Sequence, residues 1–311
     1  MKKALKVMAL IVLAGAMLFA AGCKKSTGTL VGYVCNNFND TFQGYIMENF
    51  RAYFEGKDQY KLEFQDSQED VIKQQDQVNN LINKGAKAIV IVPVNTNAVD
   101  PIIAACSKAK VPLIMVNRSP YNDANKPPAG VYYIGSVSVD AGRFQGDLMK
   151  KLLGGKGGVA ILLGKLDNEA TAERTRGNKE SLAGTSIQIL AEEAGDWQRD
   201  QGMTKTENWL TAYGNKLNGI LANNDEMAIG AYQALKAKGR TDVVVMGVDL
   251  IPDAKTAIAN GELAASVLQD ATGQGKGSAE YAEKLITGAS LPAISWVPYV
   301  LVTKDNLAQY Q

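Results

Sequence analysis

The chain has 311 residues, of which 33 are Lys or Arg and 32 are Asp or Glu. The resulting net charge of +1 provides no field that would attract nucleic acid, so we expect no nucleic-acid partner. The chain contains no histidine. This excludes Ser–His and Cys–His nucleophile pairs and removes the commonest zinc ligand.

The N-terminal residues have the pattern of a secretory signal. Two lysines precede a run over residues 4–21 that is apolar except for Lys6, and small residues then lead into Cys23. A Gly-Cys ending resembles the lipobox of bacterial lipoproteins, in which the cysteine becomes the lipidated N-terminus. The alternative is a transmembrane helix, for which the run is borderline in length. We predict a signal peptide over residues 1–22, lipidation at Cys23 and a polar tether over residues 23–28.

From residue 30 onward, short apolar runs alternate with longer amphipathic segments. The apolar runs lie at residues 30–35, 60–64, 88–92, 112–116, 131–134, 159–163, 187–190, 219–222, 243–248 and 263–268. The segment 69–84 predicts a helix whose buried stripe is Val71, Ile72, Val78, Leu81 and Ile82. Nearly continuous apolar strands alternating with helices predict an α/β fold whose parallel sheets are covered on both faces.

Two breaks interrupt this alternation. Proline, glycine and asparagine mark a loop at residues 121–130, and a second weak point lies at residues 288–292. We therefore predict two α/β lobes, each with its own sheet, with chain crossings between them. Cys35 and Cys106 belong to no spaced framework, which favours buried thiols over a disulfide.

Polar side chains collect where the predicted strands end. In an open parallel sheet, ligands bind outside the carboxyl ends of the strands. Helix capping alone would explain any single Asn or Asp at such a position. Recurrence at one strand end after another instead predicts a ligand cleft. The residues are Asn36, Asn37, Asn39, Asp40, Phe42, Asn117, Arg118, Asp167, Asn168, Arg174, Asp196, Trp197, Asn223, Asn224, Asp225, Asp249, Gln269 and Asp270.

The chemistry of this set indicates a ligand rich in hydroxyl groups. Carboxylates and amides together accept and donate hydrogen bonds, and Arg118 and Arg174 each donate to two oxygens at fixed geometry. Phe42 and Trp197 could lie flat against the C–H faces of a sugar ring. Trp197 could instead belong to the core, but its polar neighbours in the sequence favour a position in the cleft.

Several stretches resemble the periplasmic sugar-binding proteins of ABC importers, closest to the galactose/glucose-binding and the inositol- or rhizopine-binding groups. The stretches are "VGYVCNNFNDTF", "VPLIMVNRSP", "ILANNDEMAIGAYQALKAKG", "VVVMGVDLIPDA" and "VPYVLVTKDNLA". The resemblance implies a type I periplasmic binding protein with two flavodoxin-like lobes joined by a three-segment hinge. On this basis we assign residues 28–134 and 271–293 to the N-terminal lobe, and residues 135–270 and 294–311 to the C-terminal lobe.

The resemblance also implies which residues contact the ligand. The family's contacts fall on Asp40, Phe42, Asn117, Arg174, Trp197, Asn224 and Asp249. Departures from the galactose/glucose-binding pattern occur at Asn168 and Gln269, and the Asn117–Arg118 pair is more similar to the inositol and rhizopine group. These ten positions form the predicted ligand-binding set. They imply a hexose or an inositol-like cyclitol rather than a pentose.

Other signals do not support a cofactor, a metal or catalysis. "GQGKGS" at residues 273–278 lacks the spacing of a phosphate loop, so we interpret its small residues as helix packing. The calcium loop of galactose/glucose-binding proteins falls on residues 153–162, which contain no carboxylate, and its distant glutamate falls on Asn218. The acidic segment "EDVIKQQDQ" is interpreted as a solvated helix face. We expect no metal and no cofactor.

The expected function is that of a substrate-binding lipoprotein, not an enzyme. It would be anchored to the bacterial cell membrane by lipid, facing the periplasm or the exterior, and would deliver a monosaccharide or cyclitol to an ABC permease as a monomer. A sensor that presents the sugar to a chemoreceptor or kinase is the alternative. A surface glycan hydrolase using Asp40, Asp225 and Asp249 is a further one. The related LacI-type repressors are disfavoured because the chain has no DNA-binding headpiece.

Overall fold

The computed structural model describes residues 28–122 and 124–310. The predicted signal peptide over residues 1–22 and the lipidation site at Cys23 lie outside the described residues. No helix in the described part of the chain is both long enough and apolar enough to cross a bilayer.

The described residues form alternating strands and helices. The strands are β1 (Thr29–Cys35), β2 (Tyr60–Asp66), β3 (Ala88–Ile91), β4 (Leu113–Val116), β5 (Val131–Gly135), β6 (Lys156–Leu163), β7 (Ser186–Ala194), β8 (Leu217–Ala222), β9 (Val244–Asp249), β10 (Ala265–Leu268), β11 (Ile294–Trp296) and β12 (Val300–Thr303). The α-helices are α1 (Thr41–Tyr53), α2 (Val71–Asn83), α3 (Asp100–Ala109), α4 (Ser138–Leu152), α5 (Glu169–Leu182), α6 (Arg199–Tyr213), α7 (Asp225–Ala237), α8 (Pro252–Ala259) and α9 (Ala271–Ile286).

These strands build two sheets of six strands each, in the orders β11-β5-β4-β3-β1-β2 and β12-β10-β9-β8-β6-β7. Neighbouring strands are parallel, except that β10 and β12 run antiparallel. Every predicted apolar run coincides with a strand. The two short strands near the C-terminus, β11 and β12, were not predicted. The fold confirms the predicted two-lobed α/β class.

Both faces of each sheet are buried, as continuous apolar strands require. In β1, Val31 and Tyr33 point into one core cluster of the first lobe, whereas Val34 points into another on the opposite face. In β6, Leu162 and Ile161 divide between two clusters of the second lobe in the same way. Successive strand side chains point to opposite faces, so each sheet needs helices on both sides.

Within the described residues, the chain passes between the two sheets at three places. It crosses after β5, after β10 and between β11 and β12. The predicted boundary that assigned residues 294–311 to the C-terminal lobe is wrong at its start. Strand β11 pairs in parallel with β5, so Ile294–Trp296 belongs to the first lobe and the chain crosses only before Val300.

The buried stripe predicted for residues 69–84 is partly wrong. Helix α2 buries Val78 and Leu81 as expected, but Ile72 is 64% exposed. Gln74 and Gln77 lie on the buried face instead. Their amide groups donate to the backbone oxygens of Val92 at 2.9 Å and Asp66 at 2.8 Å, which compensates for burying them.

The glycine-rich residues 273–278 lie within α9 and serve helix packing, as predicted. A Cβ on Gly275 would overlap the backbone oxygen of Ile46 in α1. The two cysteines of the described chain, Cys35 and Cys106, are buried free thiols. Burial raises the pKa of each thiol to about 12, which keeps both in the unreactive protonated form.

Candidate functional site: a cleft between the lobes

A cleft of about 620 Å³ lies between the lobes, at the carboxyl ends of both sheets. Strands from the two sheets deliver polar side chains to opposite walls, as the position of parallel strand ends predicts. The structure brings all ten residues of the predicted ligand-binding set together on these walls. They are Asp40, Phe42, Asn117, Arg118, Asn168, Arg174, Trp197, Asn224, Asp249 and Gln269.

Asp40 anchors the first-lobe wall. It caps the N-terminus of α1, where its Oδ1 accepts hydrogen bonds from the backbone N–H groups of Phe42 and Gln43 at 3.0 and 3.1 Å. Its Oδ2 lies 3.6 Å from the buried guanidinium of Arg118. Desolvation raises the pKa of Asp40, and the charge of Arg118 opposes that rise. One carboxylate oxygen thus serves the helix, while the other is available to a ligand.

Asn117 is held in place by other amides. Its Oδ1 accepts from Gln43 Nε2 at 2.8 Å, and its Nδ2 donates to Gln274 Oε1 at 3.1 Å. The Asn117 side chain thus links the end of β4 to both α1 and α9. A single N–H and one lone pair remain for a ligand, so Asn117 presents a preoriented group to the cleft.

Arg174 is the central cation of the second-lobe wall and is only 4% exposed. Its guanidinium donates to the backbone oxygen of Asn223 at 2.5 Å, and to Gln269 Oε1 and the Tyr299 hydroxyl at 3.0 Å each. Asp249 Oδ1 lies 3.9 Å away, beyond hydrogen-bond distance. The Nε–H has no hydrogen-bond partner among the described residues. Arg174 is therefore rigidly placed, with its Nε–H and one N–H of Nη1 unused.

Asp249 is the last residue of β9 and lies near a second buried carboxyl, Asp225. Desolvation raises the pKa of Asp249 well above the usual range, against the opposing charge of Arg174. Asp225 lies beneath the cleft, where it accepts from Ser266 Oγ at 2.6 Å and from the Ile251 N–H at 2.9 Å. Burial raises the pKa of Asp225 to about 7. Asp225 does not line the cleft, and its bonds tie the loop after β9 to α7.

Two predicted amides also cap helices. Asn168 Oδ1 accepts from the Ala170 N–H at 3.0 Å at the start of α5. Asn224 Oδ1 accepts from the Met227 N–H at 3.1 Å, and its Nδ2 donates to the backbone oxygen of Trp197 at 3.1 Å. Asn168 and Asn224 therefore both cap a helix and line the cleft. From the sequence alone, these two roles stand as alternatives.

The two predicted aromatic residues differ in placement. Phe42 is buried in the first-lobe core, where it is 8% exposed, and borders the cleft. Trp197 is partly buried, and Arg174 Cζ lies 5.8 Å from the centroid of its ring. Its indole N–H has no hydrogen-bond partner in the part of the chain that the structure describes. Trp197 is therefore the larger aromatic surface available to a ligand.

Sequence reasoning missed the charged residues at the cleft rim. Lys165 Nζ of the second lobe lies 3.2 Å from Glu69 Oε2 of the first, and Thr41 Oγ1 donates across the cleft to Glu226 Oε1 at 3.0 Å. Arg199 pairs with the other oxygen of Glu226 at 2.7 Å. The interpretation of the segment beginning at Glu69 as a solvated face was wrong for this residue, because it faces the other lobe. No local sequence pattern signals such contacts between distant segments.

The segment aligned with a calcium loop is organised without carboxylates. Asn218, at the position of the distant glutamate, uses its Oδ1 to accept from the Gly158 N–H at 2.9 Å. Among residues 28–122 and 124–310, no group of three or more His, Cys, Asp or Glu side chains is arranged to hold a metal ion. The expectation of a metal-free protein stays a prediction.

Comparisons with known proteins agree with this two-lobed architecture. The chain is 43% identical over 255 residues to a putative rhizopine-binding protein of Rhizobium meliloti, covering 80% of this chain and 82% of that protein. It is 33% identical over 246 residues to a ribose import binding protein of Salmonella typhimurium, covering 79% of this chain and 81% of that one.

A solved structure gives the same result. The solute-binding protein of an ABC transporter from Bacillus halodurans, crystallised with myo-inositol, is 32% identical and has a TM-score of 0.85. The alignment covers 93% of this chain and 99% of that chain. A family model described as a periplasmic binding protein domain matches residues 31–290. The chain therefore belongs to the periplasmic binding protein family.

Proposed function

We propose that the chain captures a monosaccharide or cyclitol between its two lobes and delivers it to an ABC permease. The observation that carries the proposal is the inner wall of the cleft, where the guanidinium groups of Arg118 and Arg174 face the carboxylates of Asp40 and Asp249 without hydrogen bonds between them. A buried polar group left unsatisfied costs about 1–3 kcal/mol. Hydroxyl groups of a polyol would satisfy the groups that face the cleft.

The charges of the inner cleft favour an uncharged, hydroxyl-rich ligand. Arg118 faces Asp40 and Arg174 faces Asp249, so each inner cation already has a carboxylate opposite it. The separations of 3.6 and 3.9 Å are too long for hydrogen bonds, which leaves donors and acceptors available in both pairs. A hydroxyl group can donate to the carboxylate and accept from the guanidinium at the same time.

The two lobes explain how binding would be coupled to release. A ligand in the cleft contacts both lobes only when they are closed, so it stabilises the closed state by its differential affinity. The three chain crossings form a hinge about which the lobes would open. Opening at the permease would remove one wall of contacts and release the ligand.

The relatives narrow the ligand class without identifying the ligand. They include a putative rhizopine-binding protein, a ribose import binding protein and a solute-binding protein crystallised with myo-inositol. We favour a cyclitol or a hexose over a pentose, because the chain is 43% identical to the putative rhizopine-binding protein and its Asn117–Arg118 pair resembles the inositol and rhizopine group. We further propose a lipid anchor at Cys23, a monomer at the membrane surface and no enzymatic activity.

The test is titration calorimetry of the protein with myo-inositol, galactose, glucose, ribose and xylose. We expect one of the first three to bind with one-to-one stoichiometry. Arg174→Gln removes the central donor set and should abolish that binding, whereas Arg176→Gln on the outer face of the same helix should not. Absence of binding by every polyol, or equal binding by Arg174→Gln, would contradict the proposal. Sustained turnover of aryl glycosides would replace it with an enzymatic function.

A further inference from the structure

The backbone at Trp197 adopts an unusual conformation. Asp196 and Trp197 have φ angles of 52° and 69°, two consecutive residues in the left-handed region. This region is unfavourable for residues with a Cβ, and especially for bulky ones. Such a conformation persists only when surrounding contacts over-determine it. The contacts that hold Trp197 in this conformation therefore help to shape the cleft wall.

The first contact is the side chain of Asn224, at the start of α7. Its Oδ1 accepts from the Met227 N–H, and its Nδ2 donates to the backbone oxygen of Trp197 at 3.1 Å. Asn224 is buried, and both ends of its amide are engaged with the protein. The amide thus ties the loop that carries Trp197 to a helix terminus at the floor of the second lobe.

The second contact is the bare backbone of Gly164, just after β6. A Cβ at this position would overlap the Cη2 and Cζ2 atoms of Trp197, so the six-membered ring lies directly against the glycine. The Gly164 N–H is itself held by Asn223 Oδ1 at 3.2 Å. Trp197 is therefore positioned from two sides. Asn224 donates a hydrogen bond to its backbone oxygen, and Gly164 packs closely against its ring.

We propose that Asn224 and Gly164 are positioning residues that set the orientation of the Trp197 indole in the cleft. Asn224 also lines the cleft and keeps one N–H for a ligand, so the positioning role that follows from its two hydrogen bonds to the protein is additional to any ligand contact. The value of this arrangement for ligand binding rests on the proposed function. The arrangement itself exists without any ligand and is tested without one.

The experiment is ¹⁹F NMR of ligand-free protein labelled with 5-fluorotryptophan. The chain has 3 tryptophans, Trp197, Trp209 and Trp296, and Trp197→Phe assigns the resonance of interest. Asn224→Asp keeps an oxygen for the Met227 N–H but replaces the donor to the Trp197 carbonyl by a repelling oxygen.

We expect Asn224→Asp and Gly164→Ala each to shift or broaden the Trp197 resonance and to leave those of Trp209 and Trp296 in place. Asn95→Asp is the matched control, because it makes the same change at the cap of the short helical turn Thr96–Ala98, at a residue that does not line the cleft, and should leave all three resonances unmoved. Thermal melting checks that each variant is folded. If both variants were folded and the Trp197 resonance stayed unchanged, the positioning role would be wrong.

A second measurement separates this role from ligand contact. For any polyol that the wild type binds, Asn224→Asp and Gly164→Ala should both raise Kd at least about tenfold, although a methyl group on Gly164 adds no change in hydrogen bonding. A loss of affinity in Asn224→Asp with an unmoved Trp197 resonance would instead assign Asn224 to direct ligand binding. If no polyol binds the wild type, the proposed function fails, and the NMR result still decides the positioning role.

Discussion

The ion pair between Lys165 and Glu69 predicts that affinity for an uncharged ligand depends on salt. The two residues come from opposite lobes, and Glu69 is held ready because its other oxygen accepts from Asn36 Nδ2 at 2.8 Å. The Lys165 and Glu69 side chains are 29% and 21% exposed. A partly exposed pair of this kind contributes about 0.5–1 kcal/mol, and screening by salt weakens it.

The pair joins the two lobes, so opening the cleft breaks it. In a ligand-free protein that rests open, removing the pair destabilises only the closed state, and the whole loss appears in ligand affinity. Lys165→Met should therefore raise Kd about twofold to fivefold at low salt. In the wild type, raising NaCl from about 20 mM to about 500 mM should produce a similar loss, and in Lys165→Met it should produce little. Titration calorimetry at both salt concentrations measures these differences.

The matched control is Lys84→Met. Lys84 pairs with Glu63 at 2.6 Å, but both residues belong to the first lobe, so this pair is the same in open and closed states. Its removal should leave Kd and its salt dependence unchanged. In a double-mutant cycle, Glu69→Gln combined with Lys165→Met should cost no more than either single change. Equal effects of Lys165→Met and Lys84→Met, or additive effects in the cycle, would refute the reasoning.

Three further predictions concern the cleft and the core. Trp197→Ala and Asp249→Ala should each weaken polyol binding by about tenfold to a hundredfold while melting cooperatively, and unchanged affinity in both would count against the cleft. Burial raises the pKa of Glu169 to about 7 from 4.5, so the folded state binds the extra proton and stability should fall as pH rises between these values. Glu169→Gln should make that part of the melting-temperature profile less steep, with the buried Asp225 carboxyl giving the remaining slope, and an unchanged slope would contradict the role of Glu169. Gly275→Ala should destabilise the first lobe by about 1–3 kcal/mol in urea unfolding, because its methyl group meets the Ile46 backbone, and a neutral result would mean that the helices can separate.

The main strands were predictable because of where they lie. Strands in the middle of a parallel sheet are buried on both faces, which requires the continuous apolar runs seen at β1, β3 and β4. Strand β11 is the edge strand of the first sheet, next to β5, and β12 is an edge strand of the second sheet. Both strands are mostly half-buried. Without a continuous apolar requirement they left no clear pattern, and this also displaced the third predicted crossing.

The members of the site were predictable because parallel strand ends converge at one edge of each sheet. That argument depends on topology and residue type alone, and it is sufficient to place Asp40, Arg174 and Asp249 around one cleft. It could not show how each side chain divides its hydrogen bonds. The engagement of Asn224 with Trp197, and of Glu69 with Lys165, depends on loop conformation and lobe closure, which no local pattern encodes.

The most direct test of the central claim is a crystal structure of the protein with a bound polyol, beginning with myo-inositol. We predict one ring in the cleft, with hydroxyl groups hydrogen-bonded to the Arg174 guanidinium and the Asp249 carboxylate on one wall and to Asp40 on the opposite wall. A ligand bound outside the cleft, or one that contacts a single lobe, would contradict the account.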